Sequence, residues 1–377
     1  MRVAFDFTSG AWQAAGIGRA TRGLIAEILK LDDDLDLRPF YSGLRRSPLA
    51  DGTFASTRHR PRRLPLPERA VLALWHKLRI PVPIELVTGR VDLVHSPDFV
   101  LPPSICRRSV VTVHDLTYVT HPDTAHPAQK RYLGRVVPRS VNRATRIIAV
   151  STATRDDLVR EYGVEADRID IIYNGLDQLF ARRPTDLQRQ EVRRKFELPD
   201  RFALAVGTIQ PRKNLVRMAE AVSVVRRRGE DIHFVHAGAR GWLSEGVLAG
   251  LSELPGGFVR LLGPVDDRWL PALYAEAEMT MAASVAEGFM LPIIESMSMG
   301  TPVITANVSC MPEVAGEAAM LVDPRDPEAI ADAVWRIATD QGLVEGLVHA
   351  GERRAAAFGW PVAAAATLSV YRHALEV

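Results

Sequence analysis

Short apolar runs separated by helical stretches, arranged twice in succession, constrain this chain more than any other feature. In the first half, Val3–Phe7, Leu35–Phe40, Val91–His95, Ser109–His114, Arg146–Val150 and Arg168–Tyr173 are short and rich in β-branched residues, which reads as strand. Between them, 17–29, 69–78, 128–141 and 152–161 read as helices, the last capped by Ser151 directly after the run IIAV. The second half repeats the pattern. Strands fall at 202–206, 232–236, 258–262, 279–283, 302–305 and 318–322, and helices at 214–228, 267–277, 291–299, 327–339 and 343–357. Within 214–228, Leu215, Met218, Ala219, Val222 and Val225 share one face. Strands regularly alternating with helices make parallel sheets covered on both sides. The fold class is therefore α/β, with two tandem domains whose strand ends face a cleft.

A chain of 377 residues is long enough for two such domains. The first is expected over 1–175 and the second over 201–359, with the polar stretch 176–200 as linker. The final helix, 360–377, carries Pro361 in its first turn and follows a complete second domain, so it is free to pack back on the first. A net charge of +2 argues against a nucleic-acid scaffold. Two cysteines make no disulfide framework, and no run approaches 18 apolar residues. The opening MRVAFDF reads as a strand rather than a leader, so the expected location is cytoplasmic. Basic excess concentrates in 45–69, where seven arginines and prolines 48, 61, 65 and 67 suggest a long irregular loop.

Four places carry chemistry. In 284–300, SVAEGFMLPIIESMSMG, a loop runs into a helix beginning near Pro292. The amides of Phe289, Met290 and Leu291 are candidates for an anion or a hydroxyl. Glu287 and Glu295, eight residues apart, suit a ligand with several hydroxyls, and Glu295 is expected in about the first helical turn; an acidic pair on a surface helix is the ordinary alternative. In 205–214, AVGTIQPRKN, Arg212 and Lys213 stand at a helix start, where their charge opposes the helix dipole unless a polyanion binds; a solvated basic turn is the alternative. In 15–19, AGIGR, Gly16 and Gly18 allow close backbone approach, but Thr21 breaks the dinucleotide fingerprint, so a dehydrogenase is the weakest reading. In VVTVHD, His114 ends a strand at the expected cleft edge and suits contact with a sugar or reacting hydroxyl, or a structural role. His121, His126 and the group Asp32, Asp33, Asp34 and Asp36 lack metal-site spacing, so no metal is expected.

Taken in order, GIGR, VHD, VSTATRDDL, IIYNGLD, VGTIQPRKNL, LLGPVDDRWLPALYAEAE, AEGFMLPIIESMSMGTPVI and MPEVAGEAAMLVDP resemble the family 4 glycosyltransferases, which have the GT-B fold of two Rossmann-like domains. The resemblance runs from Val3 to about Tyr371 and is nearest to bacterial mannosyltransferases of polysaccharide and lipopolysaccharide assembly. It implies a retaining, metal-independent hexosyltransferase using a nucleotide-sugar donor, with mannose from GDP-mannose as the first choice and a saccharide or lipid-linked saccharide as acceptor. It implies that Glu287 and His114 lie by the donor sugar, that Lys213, with Arg212 close by, meets the diphosphate, and that Glu295 binds the ribose. Gly16 and Gly18 fall under the diphosphate, the amides after Gly288 meet the sugar and phosphate, and the base packs near Leu262–Val265. Thr208 stands near where many members carry arginine, the usual GFGLP is GFMLP, and the usual EAMA is ESMS with Ser296 and Ser298.

Three other readings share the scaffold. These are a UDP-dependent glucosyl or N-acetylhexosaminyl transferase, a noncatalytic nucleotide-sugar or carbohydrate-binding protein, and a sugar-phosphate synthase or phosphorylase. The last would need a second phosphate site in the cleft, and no clear further Arg/Lys pair is there to supply one. Acceptor loops are expected at 14–16, 45–69 and 117–131. The arginines of 45–69 suit peripheral contact with an anionic membrane at its inner face, a solvated loop or a subunit contact.

Overall fold

The computed structural model describes residues 1–14, 16–31, 34–78 and 80–376; Ala15, Asp32 and Asp33 of the positions raised above lie outside them. The chain divides into two compact units. One comprises Met1–Thr120, Pro127–Gly175 and Gly359–Val377, the other His121–His126 and Leu176–Phe358.

Among the described residues, the first unit holds a seven-stranded parallel sheet. Its strands are β1 (Arg2–Asp6), β2 (Asp36–Ser42), β3 (Arg62–Leu64), β4 (Leu93–Ser96), β5 (Ser109–Val113), β6 (Arg146–Ala149) and β7 (Ile169–Ile171). They lie in the order β3-β2-β1-β4-β5-β6-β7. The second unit holds six: β8 (Phe202–Val206), β9 (His233–Ala237), β10 (Val259–Gly263), β11 (Met279–Ala282), β12 (Val303–Ala306) and β13 (Met320–Val322). Their order is β10-β9-β8-β11-β12-β13. Both sheets are doubly wound, so each has a switch point, at β1/β4 and at β8/β11, where the strand ends open a ligand crevice.

Packing follows the sequence periodicity. Leu215, Met218, Ala219, Val222 and Val225 are all buried in the second unit's core, the four larger side chains each contributing about 1.5–3 kcal/mol. The C-terminal helix Trp360–Glu376 belongs to the first unit, where Tyr371 and Leu368 join Ile25, Ile28 and Phe5 in one core. His95 at the end of β4 is fully buried and hydrogen-bonds Tyr371 Oη at 2.6 Å and Thr112 Oγ1 at 3.0 Å. That polar link fixes the returning helix in register on the sheet.

Two expectations are corrected. Residues 45–69 are not a long irregular loop. They form a helix at Pro48–Phe54, capped by Ser47, and the edge strand β3, and they lead into a helix at Glu68–Leu72. Several of their arginines serve the fold. Arg63 donates to the carbonyls of Gly43 (3.1 Å) and Leu44 (2.6 Å), Arg60 to Phe54 (3.3 Å) and Arg58 to Leu35 (3.4 Å). Residues 176–200 are likewise ordered rather than a plain linker, because Phe180, Val192 and Leu198 are buried against Leu273 and Tyr274. Ser151 caps Thr152–Tyr162 as expected, accepting from the Thr154 amide at 3.1 Å.

At the β1/β4 switch point the chain leaves Asp6 and Asp98 beside one another. Burial raises Asp98 to about 7, with the Asp6 and Glu68 carboxylates adding to the effect. Asp6 rises to about 6 through burial, opposed by hydrogen bonds from Thr8. A carboxyl whose folded pKa is raised costs no stability below its unfolded value, and the cost grows until pH passes the folded value. Asp98→Asn should therefore raise Tm by a few degrees, roughly, at pH 8 and leave it nearly unchanged at pH 4, as read by thermal unfolding at both pH values. Equal shifts at both would contradict the assignment.

Candidate active site

The β8/β11 switch point is built from two loops that bond to each other. After β8, Gly207 leads into a tight turn at Pro211–Lys213 and then Asn214, whose φ of +60° suits asparagine better than most side chains. Asn214 is buried and donates through Nδ2 to the carbonyls of Ala283 (3.0 Å) and Pro324 (2.7 Å), pinning this turn to the end of β11. The Val285 amide donates to the Arg212 carbonyl at 3.0 Å, and Arg212 Nη1 donates to the Ala286 carbonyl at 2.7 Å. Gly238 after β9 must be glycine, because a Cβ there would stand 1.9 Å from the Gly207 carbonyl oxygen. Thr208, next to Gly207, is half-buried.

Arg212, Lys213 and Glu287 meet where these loops join. Arg212 pairs with Glu287 Oε2, and Lys213 Nζ lies 2.7 Å from Oε1, with all three side chains largely buried. Burial alone would raise the Glu287 carboxyl, but the two cations outweigh it and hold the group at about 2. Two cations share one carboxylate, so the cluster keeps a net positive charge. Ser309, at φ +57°, accepts from the Glu287 amide at 3.3 Å and donates to its carbonyl, which fixes the backbone carrying the carboxylate.

Gly288 and Phe289 lead from Glu287 into the helix Leu291–Ser298 through Met290. Phe289 is buried with its ring edge on Phe358, the centroids 5.6 Å apart. Met290 has φ +67°, a conformation costing a residue with a Cβ about 1–2 kcal/mol. The glycine of the usual GFGLP fits that backbone without cost. Methionine here places Sδ 3.7 Å from Lys213 Nζ. Glu295 lies beyond the first turn, five residues into the helix, and is 2% exposed. It is not an acid on a helix surface but a buried carboxylate that accepts from Tyr274 Oη at 2.9 Å. Thr301 in turn donates to the Tyr274 carbonyl at 2.7 Å. Val265 is partly buried against the core that contains Tyr274.

The remaining candidates belong to the first unit. His114 follows β5, and its Nε2 lies 2.8 Å from the Pro97 carbonyl. A carbonyl only accepts, so Nε2 carries the proton and Nδ1 is left as the acceptor in the neutral ring. Burial lowers the His114 pKa and favours that neutral ring. Its neighbour Phe99 is held at φ +57° with ring centroids 5.6 Å apart. Gly18 opens the helix Ile17–Leu31, and a Cβ there would stand 2.1 Å from the Gln13 carbonyl oxygen; Gly16 precedes it at φ +56°.

Thus Arg212, Lys213, Glu287 and Met290 converge, Glu295 lies deeper in the same unit, and His114, Gly16 and Gly18 lie at the strand ends of the other. Sequence reading missed Asn214, Ser309 and Tyr274. Asn214 was readable as an αL residue between a turn and a helix, whereas Ser309 and Tyr274 act through long-range bonds that leave no local pattern. Among the described residues, no group of three or more His, Cys, Asp or Glu is placed to hold a metal ion.

Residues 15–178 match the sequence profile of Glycosyltransferase Family 4, and residues 200–340 match that of Glycosyl transferases group 1. The chain is 33% identical over 285 residues to the Escherichia coli O-antigen chain mannosyltransferase B, covering 74% of each. It is 30% identical over 287 residues to a D-inositol 3-phosphate glycosyltransferase of Salinispora tropica, covering 71% of this chain and 59% of that protein. In structure it resembles Anabaena Alr3699/HepE, crystallised with UDP and glucose, at a TM-score of 0.77 and 15% identity over 99% of this chain and 100% of that one. The doubly wound sheets, the loops that meet at the second switch point and these matches lead to one conclusion: the chain belongs to glycosyltransferase family 4 and is a glycosyltransferase of the GT-B fold working from a nucleotide-sugar donor.

Proposed function

We propose that the chain moves a hexosyl group, with retention and without a metal ion, from a nucleoside diphosphate hexose to a glycan or lipid-linked saccharide. The observation that carries this reading is the buried cluster of Arg212, Lys213 and Glu287 at the β8/β11 switch point. Its excess positive charge suits a diphosphate. On binding, phosphate oxygens would take over contacts that Glu287 now makes, and the released carboxylate is then available to the sugar hydroxyls.

The chemistry is balanced by the substrates themselves. The bond from the anomeric carbon to the β-phosphate oxygen breaks and negative charge builds on that oxygen. Lys213 and Arg212 stabilise it from fixed positions. The acceptor hydroxyl attacks the same face of the sugar, and its proton passes to the leaving phosphate oxygen. No enzymic nucleophile is required. His114, neutral with Nδ1 as acceptor, takes a hydrogen bond from the donor sugar. Glu295 accepts from the ribose hydroxyls. Gly16 and Gly18 let the backbone approach the diphosphate, the amides of Gly288 to Leu291 meet sugar and phosphate, and Thr208 and Val265 border the nucleotide.

Mannose from GDP-mannose is the first donor we assign, supported by the mannosyltransferase that shares 33% identity with this chain. A UDP-hexose is the second reading, favoured by the D-inositol 3-phosphate glycosyltransferase relative and by the UDP and glucose bound to the Anabaena protein. Donor hydrolysis measured with GDP-mannose, UDP-glucose and UDP-N-acetylglucosamine decides between them. The turnover ranking names the donor, and hydrolysis of none of them would favour a noncatalytic binding protein.

Lys213→Ala should lower turnover by roughly 10²–10³-fold, the scale for one lost electrostatic donor, and EDTA should leave the wild-type rate unchanged. A rate abolished by EDTA and restored only by Mn²⁺ or Mg²⁺ would refute the metal-free mechanism. Glu295→Gln should weaken nucleoside diphosphate binding by about tenfold or more by calorimetry, as for a lost charged hydrogen bond. Glutamine is the better probe than alanine, because truncation would also strip buried Tyr274 of its partner. Unchanged affinity would remove Glu295 from the ribose site.

A further inference from the structure

Met290 stands where the chain turns from the Glu287 loop into its helix, at φ +67° and ψ +65°. Residues with a side chain rarely adopt this backbone, and such strain persists only where the surrounding structure enforces it, most often at functional sites. Glycine would sit here freely, as in the usual GFGLP. This chain instead keeps a long side chain and buries it, leaving Met290 7% exposed. A side chain retained against its own backbone, beside a cluster of charges, points to a use beyond packing.

Its sulfur supplies that use. Lys213 Nζ donates to Met290 Sδ at 3.7 Å and lies 2.7 Å from Glu287 Oε1. Gly207 closes a third side. A Cβ on that residue would stand 3.2 Å from Lys213 Cε and 3.5 Å from Nζ, so bare glycine backbone lies against the end of the lysine chain. The ammonium is therefore enclosed by a carboxylate, a thioether and a glycine. A lysine ends on a flexible four-carbon stem, and its charge has a fixed position only where neighbours provide one.

These neighbours differ in what a diphosphate does to them. In the proposed function, phosphate oxygens take the place of Glu287, so the carboxylate ceases to hold Nζ when the position of that charge matters most. Gly207 has no side chain to offer. The thioether remains. Sulfur is a weak acceptor, so it does not compete with phosphate oxygens for the ammonium, and it carries no charge to cancel the excess positive charge of the cluster. A carboxylate at position 290 would cancel that charge, and glycine or an aliphatic side chain would give Nζ no acceptor.

We propose that Met290 is a positioning residue for Lys213: its thioether keeps the ammonium in place when Glu287 gives way to the diphosphate. The proposal rests on the reading that Lys213 meets the diphosphate. It gives the Met290 side chain a task separate from that of its backbone amide. The departure from GFGLP then serves turnover rather than stability.

A double-mutant cycle tests it. Donor hydrolysis is followed with GDP-mannose and with UDP-glucose, and kcat and KM are read for the wild type, Met290→Leu, Lys213→Ala and the double variant. Leucine keeps the bulk and removes the sulfur. Met290→Leu should lower kcat by about three- to tenfold, the scale of coupling between residues in contact, with KM changed less. In the Lys213→Ala background the same substitution should change kcat by less than about twofold, because the group it positions is gone. Met290→Gly, which this backbone accepts without strain, should repeat both results. Wild-type kcat in Met290→Leu, or in Met290→Gly should the leucine variant not fold, would overturn the proposal while a slowed Lys213→Ala left the reading of Lys213 standing. An undiminished effect of Met290→Leu in the Lys213→Ala background would also overturn it, because the side chain would then act on the donor directly. Wild-type kcat in Lys213→Ala would remove the reading of Lys213 and the proposal with it.

Discussion

Two cations on one buried carboxylate are the interaction on which the β8/β11 switch point of this enzyme turns. Arg212 and Lys213 arrive from the loop after β8 and Glu287 from the loop after β11, so the cluster ties together the two strands that flank the switch point. Charges buried this way carry a desolvation cost that their mutual attraction only partly offsets. Hydrophobic residues of similar volume would hold the loops at least as well. Under the proposed function the cluster is a site poised for exchange, in which a phosphate replaces the carboxylate as partner of the cations. The supports around it fit that purpose. Asn214 and Ser309 hold the two backbones, and Gly238 lets the strand ends approach closely.

Polar groups do comparable work elsewhere. His95 joins the last helix of the chain to β4 and β5 through Tyr371 and Thr112, so residues distant in sequence complete the first unit's core. Tyr274 holds Glu295 inside the second unit, and Phe180, from the stretch expected as a linker, packs edge-on against the Tyr274 ring at 6.0 Å. A polar group buried as deeply as the Glu295 side chain needs such a hydrogen-bond partner, and Tyr274 fixes its orientation.

The α/β architecture was legible because the period of its strands and helices is strong, and 202–206 and 327–339 coincide with the observed elements. The Arg-Lys turn was legible because basic residues at a helix start break a local rule, and the glutamate pair because two acids eight residues apart flank a loop that runs into a helix. What escaped the sequence depends on tertiary context. The three-residue β3 exists by pairing with β2 and has no alternation of its own. The buried placement of Glu295 follows from Tyr274, 21 residues earlier in the chain. Met290 illustrates the reverse case. The departure from GFGLP is visible in sequence, but only the φ of +67° shows that the position has a backbone suited to glycine.

In the proposed function a diphosphate displaces Glu287 from its cations. A crystal structure of the protein with bound nucleoside diphosphate tests this most directly. Phosphate oxygens should lie within hydrogen-bond distance of Lys213 and Arg212, with at least one of the two contacts to Glu287 broken. A diphosphate bound elsewhere, with both contacts to Glu287 intact, would contradict it.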